Sequence, residues 1–224
     1  MVCAMAVAGA AFGQGTVNWS ISFANFTAQT NATQISPLFG GAATGSGTVG
    51  NTAATGGGFY YELLYLGGAQ VAAPSSLASL AGWSDAGLGA TNILTAGRVS
   101  AINGTSSVTV PWAAGVTNNI LMVGWSANLG TSWLTVSNDL KNWVTVGSGI
   151  VGQGFFGISN PGYQAALAGN PGATIFGGSA NATGTPIQST LTQLFLLPPV
   201  PEPATLALAG LGGLSLLLFR RQRK

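Results

Sequence analysis

The amino-acid sequence predicts an all-β fold, an antiparallel β-sandwich or jelly-roll-like domain, on the strength of two observations. Short apolar segments recur along the 224 residues, and some alternate with polar residues at the period of a β-strand. Clusters of Gly, Asn, Ser and Thr separate these segments and favour turns. Because no apolar pattern of three or more helical turns precedes Ala204, we expect sheets packed on each other to bury the apolar faces.

The predicted elements follow in chain order and belong to one domain over residues 14–197. The first strand covers residues 16–23, where apolar and polar side chains alternate strictly. Short helical turns are predicted at residues 75–80 and around residues 138–143. The other predicted strands are short apolar runs at residues 59–66, 108–112, 120–125, 133–136, 143–146, 155–158 and 191–197.

Charge is scarce in this chain and unevenly divided. Only 4% of the residues are charged, against roughly 25% in an ordinary soluble domain. Residues 14–200 hold two basic and three acidic side chains, whereas residues 201–224 hold four basic side chains and one acidic side chain. A nucleic-acid-binding surface needs many Lys and Arg side chains on one face, so the sequence predicts no nucleic-acid partner.

The side chains that most enzymes use are nearly absent. The sequence contains no histidine, and its single cysteine is Cys3. These counts leave no imidazole base, no histidine-bound metal and no disulfide framework. We therefore expect no catalytic residues, no metal, no cofactor and no enzymatic activity. One alternative stays open, because the carboxylates Glu62, Asp85 and Asp139 could supply the two acids of a hydrolase if two of them share a cleft.

The six tryptophans are the largest apolar side chains of the body. Each can bury about 150–250 Å², so we expect most of them to fill the core. Trp19 and Trp125 lie within apolar strand patterns and are typical of core residues. Trp83 and Trp143 lie near turn residues and are the better candidates for exposed rings that stack on glycans. A carbohydrate-binding module is therefore the alternative to a structural role.

The first residues carry an export pattern. Residues 1–12 are mostly apolar, and the small residues Ala11 and Gly13 flank Phe12. Such a run, ended by small residues, is typical of a secretory signal peptide, which we place at residues 1–13. The alternative is a buried N-terminal strand or helix.

The last residues combine a proline-rich segment, the sixteen uncharged residues 204–219, and a basic end. As a helix the uncharged run extends about 24 Å, slightly less than the roughly 30 Å hydrocarbon core of a bilayer. Long basic side chains and local thinning of the bilayer can cover the difference. We predict a transmembrane helix with the N-terminus outside and the basic end in the cytoplasm. The stop residues are Arg220, Arg221, Arg223 and Lys224.

The order of Val200, Pro201, Glu202 and Pro203, an apolar run and an Arg-rich end resembles the PEP-CTERM sorting signal of bacterial envelope proteins. The resemblance implies that residues 198–224 are read by an exosortase, a membrane protease or transpeptidase that cleaves near the motif. Pro201, Glu202 and Pro203 would then be recognition residues of a substrate. A plain C-terminal membrane anchor after a proline linker is the alternative.

The body is also similar to PEP-CTERM ectodomains that begin with Gly-Thr-Val-Asn, here residues 15–18, and carry an aromatic-rich strand, here residues 59–67. This likeness implies no activity. We therefore expect an exported, non-enzymatic protein, anchored transiently in the inner membrane and then delivered to the cell surface or the extracellular space. Its expected role is structural or adhesive in an exopolysaccharide or biofilm matrix, with exopolysaccharide as a further partner.

Overall fold

The centre of the fold is a large sheet whose middle strand is apolar on both faces. The computed structural model describes residues 13–19, 26–41, 49–52, 56–103, 106–188 and 191–200. The helices within these residues are α1 (Leu77–Leu80), α2 (Trp133–Lys141) and α3 (Trp143–Val146), with 3-10 turns at Pro37–Phe39, Ala127–Leu129 and Gly147–Gly149. The strands are β1 (Gln14–Asn18), β2 (Thr27–Ile35), β3 (Val49–Asn51), β4 (Phe59–Leu66), β5 (Ser84–Asn92), β6 (Val99–Ala101), β7 (Val108–Ala113), β8 (Thr117–Ser126), β9 (Phe155–Ile158), β10 (Gly162–Ala165), β11 (Ala173–Thr174), β12 (Gly184–Thr185) and β13 (Leu191–Leu196).

The strands form two sheets. The large sheet has the order β3-β2-β13-β9-β8-β4-β5-β6, with β10 also paired to β8 and β12 paired to β10. The small sheet has the order β11-β1-β7. The predicted all-β class is confirmed. Most pairs are antiparallel, but β13 pairs with β2 and β1 with β11 in parallel, which the prediction of a purely antiparallel fold did not include.

Strand β8 explains the layers of the fold. Its Ile120 and Met122 belong to a buried cluster shared with the small sheet, to which Val110 of β7 also contributes. The alternate residues Leu121 and Val123 belong to a second cluster, which includes the buried side chains of α2 and α3. The order of layers is therefore small sheet, large sheet, helices, so that both apolar faces of β8 are covered.

Five predicted strands are confirmed, at residues 59–66, 108–112, 120–125, 155–158 and 191–197. The helical turn predicted at residues 75–80 is α1. Ser76 caps it, because the Ser79 amide donates to Ser76 Oγ at 3.2 Å and the Ser76 amide donates to Ser79 Oγ at 3.1 Å. Of the strand predicted at residues 16–23, β1 covers residues 16–18, and residues 20–23 lie outside the described residues.

Two predicted strands are wrong. Residues 133–136 and 143–146 are helical and belong to α2 and α3. The buried side chains Trp133, Val136, Leu140 and Trp143 recur at spacings of three and four residues, which is the period of a helix with one face on the sheet. Each four-residue apolar run was too short to show that period by itself. The helical turn predicted around residues 138–143 is confirmed, since it contains the end of α2.

Gly124 in β8 provides a test of how tightly side chains pack on the face of the large sheet that is turned toward the small sheet. A Cβ atom there would lie 2.7 Å from a ring carbon of the buried Tyr61 and 2.9 Å from Cδ2 of the buried Leu194. We expect Gly124→Ala to lower the free energy of unfolding by about 1–3 kcal/mol, the usual cost of overpacking a core. Gly82→Ala is the control, because a Cβ at Gly82 meets no atom within 4 Å. Chemical denaturation measures both variants, and equal losses would contradict the packing described here.

Candidate functional site

The chain leaves the body through residues 197–200, which we call the exit segment. The amide of Leu197 donates a hydrogen bond to the carbonyl oxygen of Gly154 at 2.9 Å. The indole N–H of Trp143 donates to the carbonyl oxygen of Pro198 at 2.8 Å. Leu197 is buried, and Val200 packs on the same cluster as the helices. The exit segment is therefore docked on the body and continues β13 beyond its last residue.

Two glycines allow this close approach. A Cβ at Gly147 would lie 2.5 Å from Cγ2 of Val200, and one at Gly154 would lie 3.1 Å from Cδ1 of Leu197. A groove of about 330 Å³ lies beside the exit segment, and its lining includes Ile150. The stretch of residues 143–154, which carries the two glycines and Trp143, thus surrounds the point where the chain leaves the body. We call this stretch the collar.

The tryptophans proposed for glycan stacking are not exposed. Trp83 is 8% exposed and Trp143 is 7% exposed, so the prediction that their rings face solvent is wrong. Both lie in the cluster between the large sheet and the helices, because the turn residues near them belong to short helices that pack on the sheet. Trp19 and Trp125 are buried in the core, as predicted. Glycan stacking on Trp83 or Trp143 therefore has no support in this arrangement.

Glu62 and Asp85 come together, although the sequence did not predict it. Glu62 pairs with Gly89 and Leu64 pairs with Asp85, and the register shifts between these two pairs. The pKa of Glu62 is raised to about 8, and burial is the largest cause. The negative charge of the neighbouring Asp85 acts in the same direction. The backbone amide of Leu88 acts in the opposite direction. At neutral pH the Glu62 carboxyl group therefore keeps its proton.

This pair differs from the two-carboxylate site of a glycosidase. Such enzymes place the two carboxyl groups about 5–9 Å apart on either side of a substrate cleft. A second cleft lies between α1 and α2, with Trp83 in its lining. Neither Glu62 nor Asp85 lines this cleft or the groove at the exit segment. Asp139 lies on a different element, α2. Within the residues that the structure describes, no three His, Cys, Asp or Glu side chains are close enough to hold a metal ion.

The predicted sorting and anchor residues lie outside the described residues. These are Pro201, Glu202 and Pro203, the run 204–219, and the basic residues Arg220, Arg221, Arg223 and Lys224. Most of the predicted signal peptide, residues 1–12, also lies outside them. Among the helices that the structure does describe, none is long and apolar enough to cross a membrane.

The described body is a β-rich domain whose exit segment leads into the proline-rich residues at the C-terminus. A protein-family model, the PEP-CTERM protein-sorting motif, matches residues 199–224. Comparisons with curated proteins and with solved structures found no match to the chain. Residues 199–224 are therefore a PEP-CTERM protein-sorting motif, and this motif indicates exosortase-targeted sorting of an exported protein.

The match begins inside the exit segment, so Pro199 and Val200 belong both to the docked segment and to the sorting motif. No local sequence pattern indicates this contact, because Trp143 and Pro198 are 55 residues apart. The nearest sign is the repeated glycine in residues 147–154, which leaves room for a neighbouring backbone.

The hydrogen bond from Trp143 should hold the exit segment on the body. We expect Trp143→Phe to speed hydrogen exchange at the Leu197 amide, which donates to Gly154, because the aromatic packing is largely kept and the donor to Pro198 is lost. The loss of stability should be about 0.5–1.5 kcal/mol, the usual contribution of one hydrogen bond.

Trp112→Phe is the matched control, because Trp112 is also 7% exposed and its buried indole N–H has no hydrogen-bond partner in the described part of the chain. This variant should leave exchange at the exit segment unchanged. Equal exchange in the two variants would show that the Trp143 hydrogen bond does not hold the segment.

The raised pKa of Glu62 should make stability depend on pH. The unfolded chain ionises Glu62 near pH 4.5, whereas the folded chain holds the proton up to about pH 8. The free energy of unfolding should therefore fall as the pH rises from 4.5 to 8. Glu62→Gln should remove most of this fall, since it keeps a neutral side chain, and Asp139→Asn should retain it. Denaturation at pH 5 and pH 9 measures the effect, and a wild-type protein equally stable at both values would refute it.

Proposed function

We propose that this chain is a non-enzymatic protein of the cell surface or extracellular matrix, delivered there by exosortase processing. The single observation that carries the proposal is the sorting motif at residues 199–224, which follows directly on the folded body. The folded body is the part that is exported, and the motif is a cleavable sorting signal. In this proposal Pro201, Glu202 and Pro203 are recognised by the enzyme, and the chain itself carries out no chemistry.

The proposed topology places the body outside the cytoplasm. Residues 1–13 act as a signal peptide, and residues 204–219 cross the inner membrane as a transient anchor. The basic residues 220–224 stay in the cytoplasm by the positive-inside rule. Because proline restricts its own backbone and that of the residue before it, we expect Glu202 to stay outside the proposed transmembrane helix, within reach of a membrane enzyme.

A structural or adhesive role suits the chemistry of the body. Residues 14–200 carry five charged side chains, so copies of the protein repel each other little and can approach neutral polysaccharide. The carboxylates of Glu62 and Asp85 pair with each other and lie outside the clefts described above. This supports the proposal that the body is not an enzyme and acts through its surface.

The mass of the mature protein tests the sorting proposal. Expressed in a host that makes the cognate exosortase, the wild-type chain should lose residues 220–224 together with the apolar run. Glu202→Gln should keep them, because the variant lacks the single carboxylate of the recognition motif. Thr205→Ala is the control, since it leaves the three motif residues intact and should be processed normally. A mature wild-type protein that still ends at Lys224 would reject the proposal.

A further inference from the structure

The distance between the body and the proposed anchor is limited by covalent geometry. Val200 is docked on the body, and only residues 201–203 separate it from Ala204, where the apolar run begins. Four Cα–Cα steps span at most about 14 Å. The headgroup layer of a bilayer is roughly 5–8 Å thick on each side of the hydrocarbon core. The surface around Val200 therefore has to lie at or near the headgroups if residues 204–219 span the membrane.

The collar forms this surface. Trp143 holds Pro198, and Gly147 lies next to Val200. The strands place the exit at one end of the large sheet, because Leu196 pairs with Ile35 of β2 and with Phe155 of β9. The collar therefore lies at the end of the molecule that the chain leaves on its way to the membrane.

The most exposed large apolar side chains lie at this same end. Among the described residues they are Val151 at 89%, Val144 at 82% and Leu94 at 79% exposed. Val144 and Val151 belong to the collar. Leu94 follows β5 at the same end of the sheet, because Thr91 and Trp125 both pair with Tyr60. Exposing large apolar side chains to water is unfavourable in free energy, and contact with lipid would remove this cost.

Charge does not oppose such a contact. No charged residue occurs between Lys141 and Glu202, so neither the collar nor the exit segment carries a charge. A surface with no charged group loses no ionic hydration on entering the headgroup layer. It also neither attracts nor repels anionic lipids.

We propose that the collar rests on the lipid bilayer, with Val144 and Val151 at the boundary between headgroups and acyl chains, as long as the chain is unprocessed. This inference rests on the proposed anchoring by residues 204–219. The body then sits directly on the membrane, and the recognition residues 201–203 lie at the level of the headgroups. Cleavage frees the collar from its tether to the bilayer.

The test places one fluorescent label at a time on the full chain in vesicles of phosphatidylethanolamine and phosphatidylglycerol. The labels are attached to Val144→Cys, Val151→Cys and Val116→Cys in a Cys3→Ser background. Val116 is the control, because it is 46% exposed and precedes β8, whose rise carries it about 30 Å from the Ser126 end. Nitroxide-labelled lipids should quench the labels at positions 144 and 151 at least about twofold more than the label at 116.

Alkaline extraction of the same vesicles separates this inference from the proposed function. If the chain is released, the anchoring is wrong, and this inference falls with it. If the chain stays inserted but positions 144 and 151 are quenched no more than position 116, the inference alone is overturned. Protection of the two labels only in host membranes that contain the exosortase would show that a protein covers the collar, which also overturns it.

Discussion

The two-sided apolar character of strand β8 is the constraint on which the rest of this structure depends. Ile120 and Met122 need cover on one face, and Leu121 and Val123 need cover on the other. A single sheet cannot provide both, so the small sheet packs on one side and α2 and α3 pack on the other. The position of α3, and with it the collar, therefore follows from the burial of β8.

The last strand, β13, belongs to the same large sheet as β8. β13 lies inside the large sheet, paired in parallel with β2 and antiparallel with β9. The chain therefore leaves from a strand held on both sides, and Trp143 fixes the residues that follow. A force exerted by a membrane anchor would act on β13, whose hydrogen bonds to β2 and β9 would resist it together. A short, firmly held exit suits a protein whose sorting motif begins within the docked segment.

Features formed by contiguous residues could be predicted from the sequence. Features that depend on pairing between residues far apart in the chain could not. Residues 59–66 and 155–158 were predicted with the bounds that the structure has, because continuous apolar runs are typical of buried strands. Strand β2 was missed, because its buried positions are occupied by small or polar residues such as Ala28 and Asn31. The sorting motif consists of contiguous residues and could therefore be recognised from the sequence. The Glu62–Asp85 pair depends on a register shift that no local pattern records.

The carboxyl pair also changes the electrostatics of the whole body. Residues 14–200 hold two basic and three acidic side chains, a formal net charge of −1. Because Glu62 keeps its proton up to about pH 8, its formal negative charge is absent at neutral pH, and the formal net charge of the body is then zero. A neutral body meets no long-range repulsion from an anionic membrane or from its own copies. Its approach to either surface is then decided by short-range contacts, for which the exposed apolar side chains of the collar are well placed.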